Sequence, residues 1–265
     1  MDIVIAGAAG RMGRTLVEAV LKDSGMKLAA AFDVAGSSVV GRDAGELVGA
    51  ACGLAVGGDA RLAIAAGRCL IDFTRPEATL AHLDLCLQSG SAMIIGTTGF
   101  TEEQKARIAA GAARIGIVMA PNFAVGVNVT FKLAEIAARS LGSAFDVEIV
   151  EAHHRHKVDA PSGTALRLGE VVAGALGRDL KAVAAHGREG ITGARDDTSI
   201  VFHSIRGGDI VGEHTVIFAG EGERVEVTVR SQSRMTYALG ALRAARFLEG
   251  RGPGLFNMQD VLGLA

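Results

Sequence analysis

The chain has 265 residues and a formal net charge of −2, with 49% hydrophobic and 21% charged residues. That balance excludes a disordered chain, and the lack of a basic excess argues against a nucleic-acid-binding protein. Its 36 Gly, about twice average usage, follow no G-X-Y repeat and no low-complexity block, which excludes collagen and linker readings and leaves turns and close backbone approaches.

Ile3 to Ala6 reads as a first strand, followed at once by a glycine turn. No basic region precedes an apolar run at Met1–Ala6, so no signal peptide is expected. Met12, Leu16 and Val20 then recur at helical spacing. Leu28 to Phe32 reads as a second strand and Leu70 to Phe73 as a third. Thr74-Arg75-Pro76 opens a helix, with Pro suited to its first turn. Met93 to Ile95 is another strand, ending in Gly96-Thr97-Thr98-Gly99, and Thr101 with Gln104 is a capping-box pattern for the next helix. Ile115 to Met119 is a further strand. The charge-free run from Ile115 to Phe131 contains Pro121, Asn122 and Asn128. Lipid offers such polar groups no partner, so a strand, a turn and a helix start are expected there, and no membrane segment. Alternation of this kind predicts a parallel sheet with helices on both faces.

The pattern changes between Asn122 and Gly126. A long helix runs to about Leu141, and Val147 and Ile149 then alternate with Asp146 and Glu148 as in a strand with one wet face. Ser162 to Leu176 reads as a helix. Ser199–Arg206, Glu213–Ala219 and Glu223–Arg230 read as strands, the last two joined by a Gly220-Glu221-Gly222 hairpin signal. The predicted fold is α/β: a Rossmann-like parallel-sheet nucleotide domain plus an α+β domain with a mixed, largely antiparallel sheet. A last helix, about Met235 to Leu248, fits either domain. Cys52, Cys69 and Cys86 are an odd count without CxxC, so neither a disulfide framework nor a zinc site is expected, and a cytoplasmic location is.

Gly7-Ala8-Ala9-Gly10-Arg11-Met12-Gly13 is a GxxGxxG variant of the dinucleotide fingerprint. It supplies a tight turn, a backbone able to approach a pyrophosphate and a helix N-terminus facing the phosphates. Asp33 follows 20 residues beyond Gly13, where an acid bonds the adenosine ribose. The competing reading is a glycine turn in another α/β protein. An acid at Asp33 and an apolar Val34 disfavour a 2′-phosphate, although Arg11 is within reach of one. NADH is therefore expected to be used at least as well as NADPH. Gly96, Thr97 and Thr98, and Ala120, Pro121, Asn122 and Phe123, follow strands of the same sheet. They are candidates for the nicotinamide end, or simple turns.

Three His lie in one window, and His153-His154-Arg155-His156-Lys157 are five consecutive basic or titratable residues. A His exchanges protons near neutral pH, and the helix start at Ser162-Gly163-Thr164 adds N–H donors for an anion. A solvated basic loop and a metal site from His153, His154, His156 and Asp159 compete, the second without an acidic or Cys cluster to complete a shell. Tyr237, the single Tyr, is followed four places on by Ala241 rather than Lys. The Tyr–Lys mechanism of short-chain dehydrogenases is thereby excluded.

EAHHRHKVDAPSGTA, from Glu151, resembles the signature of the 4-hydroxy-tetrahydrodipicolinate reductase (dihydrodipicolinate reductase) family. GAAGRMGR from Gly7, IDFTRPEATL from Ile71, IGTTGF from Ile95, PNFAVGVN from Pro121, GDIVGEHT from Gly208 and SRMTYA from Ser233 resemble family segments in the same order. The resemblance implies His153 as catalytic acid/base and Lys157 as proton donor, with His154, Gly163 and Thr164 on the substrate carboxylates. It implies Gly7 to Met12, Asp33, Gly96 to Thr98 and Ala120 to Phe123 on NADH or NADPH, no metal, and a homotetramer formed through the second domain. It also implies that the last helix packs on the first domain, giving residues 1–124 completed by 234–265, and 125–233. Many members carry Arg after the acid at the second strand, where this chain has Val34, which agrees with the charge argument for NADH. The implied reaction adds hydride to C4 of a small dicarboxylate ring with loss of its hydroxyl as water, in lysine and diaminopimelate biosynthesis. Other readings are a dehydrogenase for another small anionic substrate and an NAD(P)-binding sensor, which would have no need of the His–Lys cluster.

Overall fold

Ile3, Val4, Ile5, Leu70, Ile71, Met93, Ile94 and Ile117 have no exposed surface. Strands buried on both faces require a sheet covered by helices on each side. The computed structural model describes residues 1–264, which form two units: residues 1–125 with the segment from Arg234 onward, and residues Gly126–Ser233.

In the first unit β1 (Asp2–Ala6), α1 (Arg11–Lys22), β2 (Lys27–Phe32), α2 (Ala60–Ala65), β3 (Cys69–Asp72), α3 (Pro76–Ser89), β4 (Ala92–Ile95), α4 (Glu102–Gly111) and β5 (Gly116–Met119) alternate along the chain. The second unit holds most of α5 (Val125–Leu141), then β6 (Asp146–His153), α6 (Gly163–Ala175), α7 (Leu180–Val183), β7 (Ala184–His186), β8 (Ile200–Arg206), β9 (Gly212–Ala219) and β10 (Arg224–Ser231). The chain returns to the first unit with α8 (Met235–Leu248), β11 (Gly254–Phe256) and α9 (Met258–Leu262).

The first sheet is parallel throughout, in the order β11-β5-β4-β3-β1-β2. Successive side chains of a strand point to opposite faces. Ile3 and Ile5 accordingly enter one core with Leu16 and Val20 of α1 and Leu242 and Leu248 of α8. Val4 and Ala6 enter the other with Ile64 of α2, Leu83 of α3 and Ile108 of α4. Pro76 starts α3 and a Thr101–Gln104 capping box starts α4, the local signals that mark those helices in the sequence. β11 exists because Gly254 to Phe256 pair with Gly116 to Val118, a contact far along the chain that no local pattern announces.

The second sheet runs β10-β9-β6-β8-β7, antiparallel from β10 to β6 and parallel from β6 to β7. β6 alternates as its sequence predicts, with Val147 and Ile149 buried, and α6 packs against β6, β8 and β9. On the opposite face Glu148 takes Arg188, Arg195 and His203 as partners. Among the described residues no helix is long and apolar enough to cross a membrane.

Candidate active site

In the first unit β1 ends at Ala6 and α1 must begin within a few residues. Gly7 makes the turn at φ +67°, a region open to glycine without steric cost. A Cβ on Gly13 would lie 2.0 Å from the Gly7 carbonyl oxygen, so only glycine seats the helix against the turn. Gly10 is the N-cap, and no side chain caps α1. The first-turn N–H groups and the positive dipole end are therefore available to an anion. These residues line a cleft of about 1010 Å³ with Asp33, Val34, Thr74 and His82. It lies at the carboxyl ends of β1, β2 and β3, and β1 stands between β2 and β3. The chain runs from β1 out to β2 and then crosses back to β3 on the other side of β1, and such a reversal of strand order is the crevice where open α/β sheets bind ligands.

Asp33 spans this loop. Its carboxylate accepts the Ala9 N–H at 2.7 Å and the Val34 N–H at 2.8 Å, so it fixes the turn and is itself held at the cleft. Val34 is 74% exposed and brings no cation; Arg11 is exposed at the loop. Ala8 is buried, with its N–H on the Phe32 carbonyl oxygen at 3.0 Å. Thr97, Thr98, Ala120 and Pro121 share a second cleft of about 660 Å³ with Leu255, Phe256 and Asn257. The last three carry no local signal in the sequence, because they arrive with β11 and the residue after it. Gly96 faces Phe73, whose ring a Cβ would meet at 2.1 Å. Asn122 shapes its own turn by accepting the Ala124 N–H at 2.8 Å. Phe123 is 1% exposed and packs on Phe73, and its carbonyl lies against Gly240 of α8, so the residue belongs to the core.

A largely buried polar chain joins the two loops, with the Thr74 and Thr79 hydroxyls 3.5 Å apart at its middle. Thr79 donates its hydroxyl to Thr97 at 2.8 Å, Thr74 donates to Asp72 at 2.6 Å, and Asp72 takes His82 Nδ1 at 2.7 Å. Asp72 has no exposed surface. The signal for it in the sequence is an acid closing an otherwise apolar strand, where a buried charge demands partners.

In the second unit the histidine window begins on β6. The buried face of that strand carries Val147, Ile149 and then Glu151, with His153 on the same face two residues further. Glu151 is 1% exposed. It takes His153 Nδ1 at 2.5 Å, both terminal nitrogens of Arg206 at 2.6 and 2.8 Å, and the Ser162 N–H at 3.2 Å. Burial pushes the Glu151 carboxyl up, but the bonds from Arg206, Ser204 and His153 outweigh it and hold the group at about 2. Burial lowers His153 below the usual imidazole value, and the adjacent Glu151 carboxylate offsets only part of this. At neutral pH the pair is a carboxylate beside a neutral imidazole.

Ser162 caps α6 by accepting the Ala165 N–H at 3.1 Å, and its hydroxyl meets His214 Nε2 at 2.9 Å. Gly163 and Thr164 open this helix. His214 is buried, which pushes it down to about 4, and its ring sits edge-on to His153 at 5.1 Å. Lys157 pairs with Asp159 at 2.9 Å. The Nδ1 atoms of His154 and His214 are buried without a hydrogen-bond partner. Arg155 and His156 are exposed. Among the described residues no group of three or more His, Cys, Asp or Glu is arranged to hold a metal ion. Arg206 and His214 carry no role in the sequence reading, because they reach Glu151 and Ser162 from β8 and β9. His214 does leave a trace, as a polar residue on the face of β9 that otherwise buries Val216 and Phe218.

The fold and site define a class: a dinucleotide-type α/β unit in one chain with an α+β unit whose sheet buries a carboxylate–imidazole pair beside a helix start. Residues 1–123 match the family model of the dihydrodipicolinate reductase N-terminus and residues 126–262 that of its C-terminus. The 4-hydroxy-tetrahydrodipicolinate reductase of Aromatoleum aromaticum is 64% identical over 264 residues, covering 100% of this chain and 96% of the relative. That of Dechloromonas aromatica is 62% identical over 262 residues, covering 99% and 98%. Among solved structures, dipicolinate-bound dihydrodipicolinate reductase from Paenisporosarcina sp. TG-14 superimposes with a TM-score of 0.77 at 29% identity, covering 98% of each chain. The chain belongs to the dihydrodipicolinate reductase family.

Proposed function

We propose that this chain reduces 4-hydroxy-tetrahydrodipicolinate to tetrahydrodipicolinate with loss of water, a step of lysine and diaminopimelate biosynthesis in the cytoplasm. The observation that carries the reading is the Glu151–His153 pair beside Ser162 at the start of α6, in a chain 64% identical over its length to a 4-hydroxy-tetrahydrodipicolinate reductase. The cofactor is a nicotinamide dinucleotide, and the uncapped α1 start and the Gly7–Gly13 contact fit its pyrophosphate. We assign its binding to Gly7–Met12, Asp33, Gly96–Thr98 and Ala120–Phe123. The apolar, exposed Val34 beside Asp33 supports use of NADH at least as well as NADPH.

When bound, the dinucleotide supplies a hydride for ring C4. One proton is added as well, and the ring hydroxyl departs as water. In our assignment His153 carries the proton as catalytic acid/base. Its imidazole is neutral before substrate arrives, because burial disfavours its charge. Two substrate carboxylates nearby favour the imidazolium, so substrate binding itself arms the acid. Lys157 is the proton donor near the ring nitrogen and supplies that one net proton, with His153 as the acid/base that exchanges it. It must leave Asp159, which is half exposed, and exposed pairs are weak. His154, Gly163 and Thr164 hold the carboxylates, with the α6 dipole adding to the field. Val150, Thr215 and Ile217 are half-buried and Ile205 is exposed on the outer face of the second sheet. That face supports a homotetramer, and light scattering should return the mass of four chains.

The test is a coupled assay. Aspartate semialdehyde, pyruvate and the preceding synthase generate the substrate while NADH oxidation is followed. Wild type should oxidise NADH only with the synthase present. His153→Gln and Lys157→Ala should each lose about 100-fold or more in kcat, with NADH affinity within about 2-fold. Oxidation without the synthase would point to another substrate, and NADH binding with no turnover to a sensor.

A further inference from the structure

Resting on the reading above, we propose that Glu151, locked by Arg206, is the positioning residue that decides which nitrogen of His153 carries the exchangeable proton, and that it ties this histidine to the anion-binding start of α6. Four contacts converge on one carboxylate. Oε2 faces His153 Nδ1 at 2.5 Å and accepts one Arg206 N–H at 2.8 Å. Oε1 accepts the other Arg206 N–H at 2.6 Å and the Ser162 N–H at 3.2 Å. An ionised carboxylate only accepts, so the hydrogen of the neutral imidazole sits on Nδ1 and the lone pair on Nε2. Arg206 keeps Glu151 ionised, which keeps this tautomer in place.

The other side of the ring is kept open. A Cβ on Gly212 would lie 3.1 Å from His153 Nε2, so the glycine leaves that nitrogen clear of the neighbouring strand. Ser162 completes the link: its N–H is on Glu151 while its hydroxyl caps α6. Substrate carboxylates held at the helix start and the proton carrier thus share one anchor. Glu151 meets the reacting atoms only through His153.

Glu151→Gln is nearly isosteric and discriminating. Two N–H donors converge on Oε1 and fix the amide oxygen there, which turns the amide NH₂ toward His153 Nδ1. The histidine is then driven to the Nε2–H tautomer. We expect a fall in kcat of about 100-fold or more, NADH affinity within about 2-fold, and partial recovery of kcat in Glu151→Asp. Nitrogen-15 NMR of labelled histidine should show His153 protonated at Nδ1 in wild type and at Nε2 in Glu151→Gln. A purely structural carboxylate would not move that signature. Wild-type protein with His153 protonated at Nε2 overturns the proposal without any variant. So does Glu151→Gln that keeps the Nδ1–H form or stays within about 2-fold of wild-type kcat. His153→Gln in the same assay separates the two levels. If it keeps its kcat, the assigned role of His153 fails. If it loses kcat while Glu151→Gln does not, only the positioning role fails.

Discussion

In our assignment the glycine turn of the first unit and the end of β6 in the second both meet negative charge, with different materials. At the turn the donors are main-chain N–H groups of α1, and the side chains matter mostly by being absent: a methyl on Gly13 would occupy the Gly7 carbonyl. At β6 the donors are side chains, and each is held by another, His153 by Glu151 and Glu151 by Arg206. A backbone site is rigid and of constant charge, which suits a cofactor phosphate that never titrates during the reaction. A side-chain site can lose and regain a proton, which suits a step that consumes one.

The largest effect that separates the two comes from Gly13→Ala. With the Cβ 2.0 Å from a carbonyl oxygen, the turn or the helix start must move. NADH affinity should fall about 100-fold or more, while KM for the dicarboxylate substrate stays within about 3-fold in the coupled assay. Retention of normal NADH affinity would break the claim that the backbone makes this site.

A smaller effect tests what the cradle does not read. Val34→Arg should place a cation beside Asp33 and raise kcat/KM for NADPH about 10-fold, equivalent to ~1.4 kcal/mol. Wild type should show kcat/KM for NADH no lower than for NADPH. A strong wild-type preference for NADPH would show that Arg11, not Val34, governs the choice.

The smallest effect is a pH dependence of stability that belongs to the side-chain site. Burial pushes His214 from 6.5 down to about 4, and charge on His153 adds to this; burial lowers His153 as well. Between these values the unfolded chain binds more protons than the folded one, so stability rises with pH and is lost as pH falls from 6.5 toward 4. Glu148 and Glu151, held at about 2 against an ordinary 4.5, act in a lower window, and their contribution is lost as pH falls from 4.5 toward 2. The melting temperature should therefore drop by a few degrees, roughly, between pH 7 and pH 5. His214→Asn should flatten that segment and leave the more acidic one intact. An unchanged slope in the variant would remove His214 from the account.

What could be read along the chain follows the range of the forces involved. Gly7, Gly10 and Gly13 announce their site because turn, helix start and close approach all fall within seven residues. The helix caps at Pro76 and Thr101 are equally local. β6 was legible as an alternating strand, since Val147 and Ile149 against Asp146 and Glu148 set its faces. The His-rich window was visible as chemistry, but its reading stayed open between a proton carrier, a metal site and a solvated loop. Counting along the strand puts Glu151 on the buried face with Val147 and Ile149.

The partners that give Glu151 and His153 their electrical state were out of reach. Arg206 stands 55 residues from Glu151, and His214 52 from Ser162. They meet only because β8 and β9 flank β6 in register, with Ser204 and His214 both opposite Glu151. Residue types and short spacings therefore told of an α/β nucleotide unit, its glycine turn and a basic cluster. Strand order and register brought the burial and the partners that set the state of His153 and turn its Nδ1 to Glu151. The physical reason is that turns and caps are satisfied by neighbours in sequence, whereas a buried charge is satisfied by whatever the sheet brings beside it.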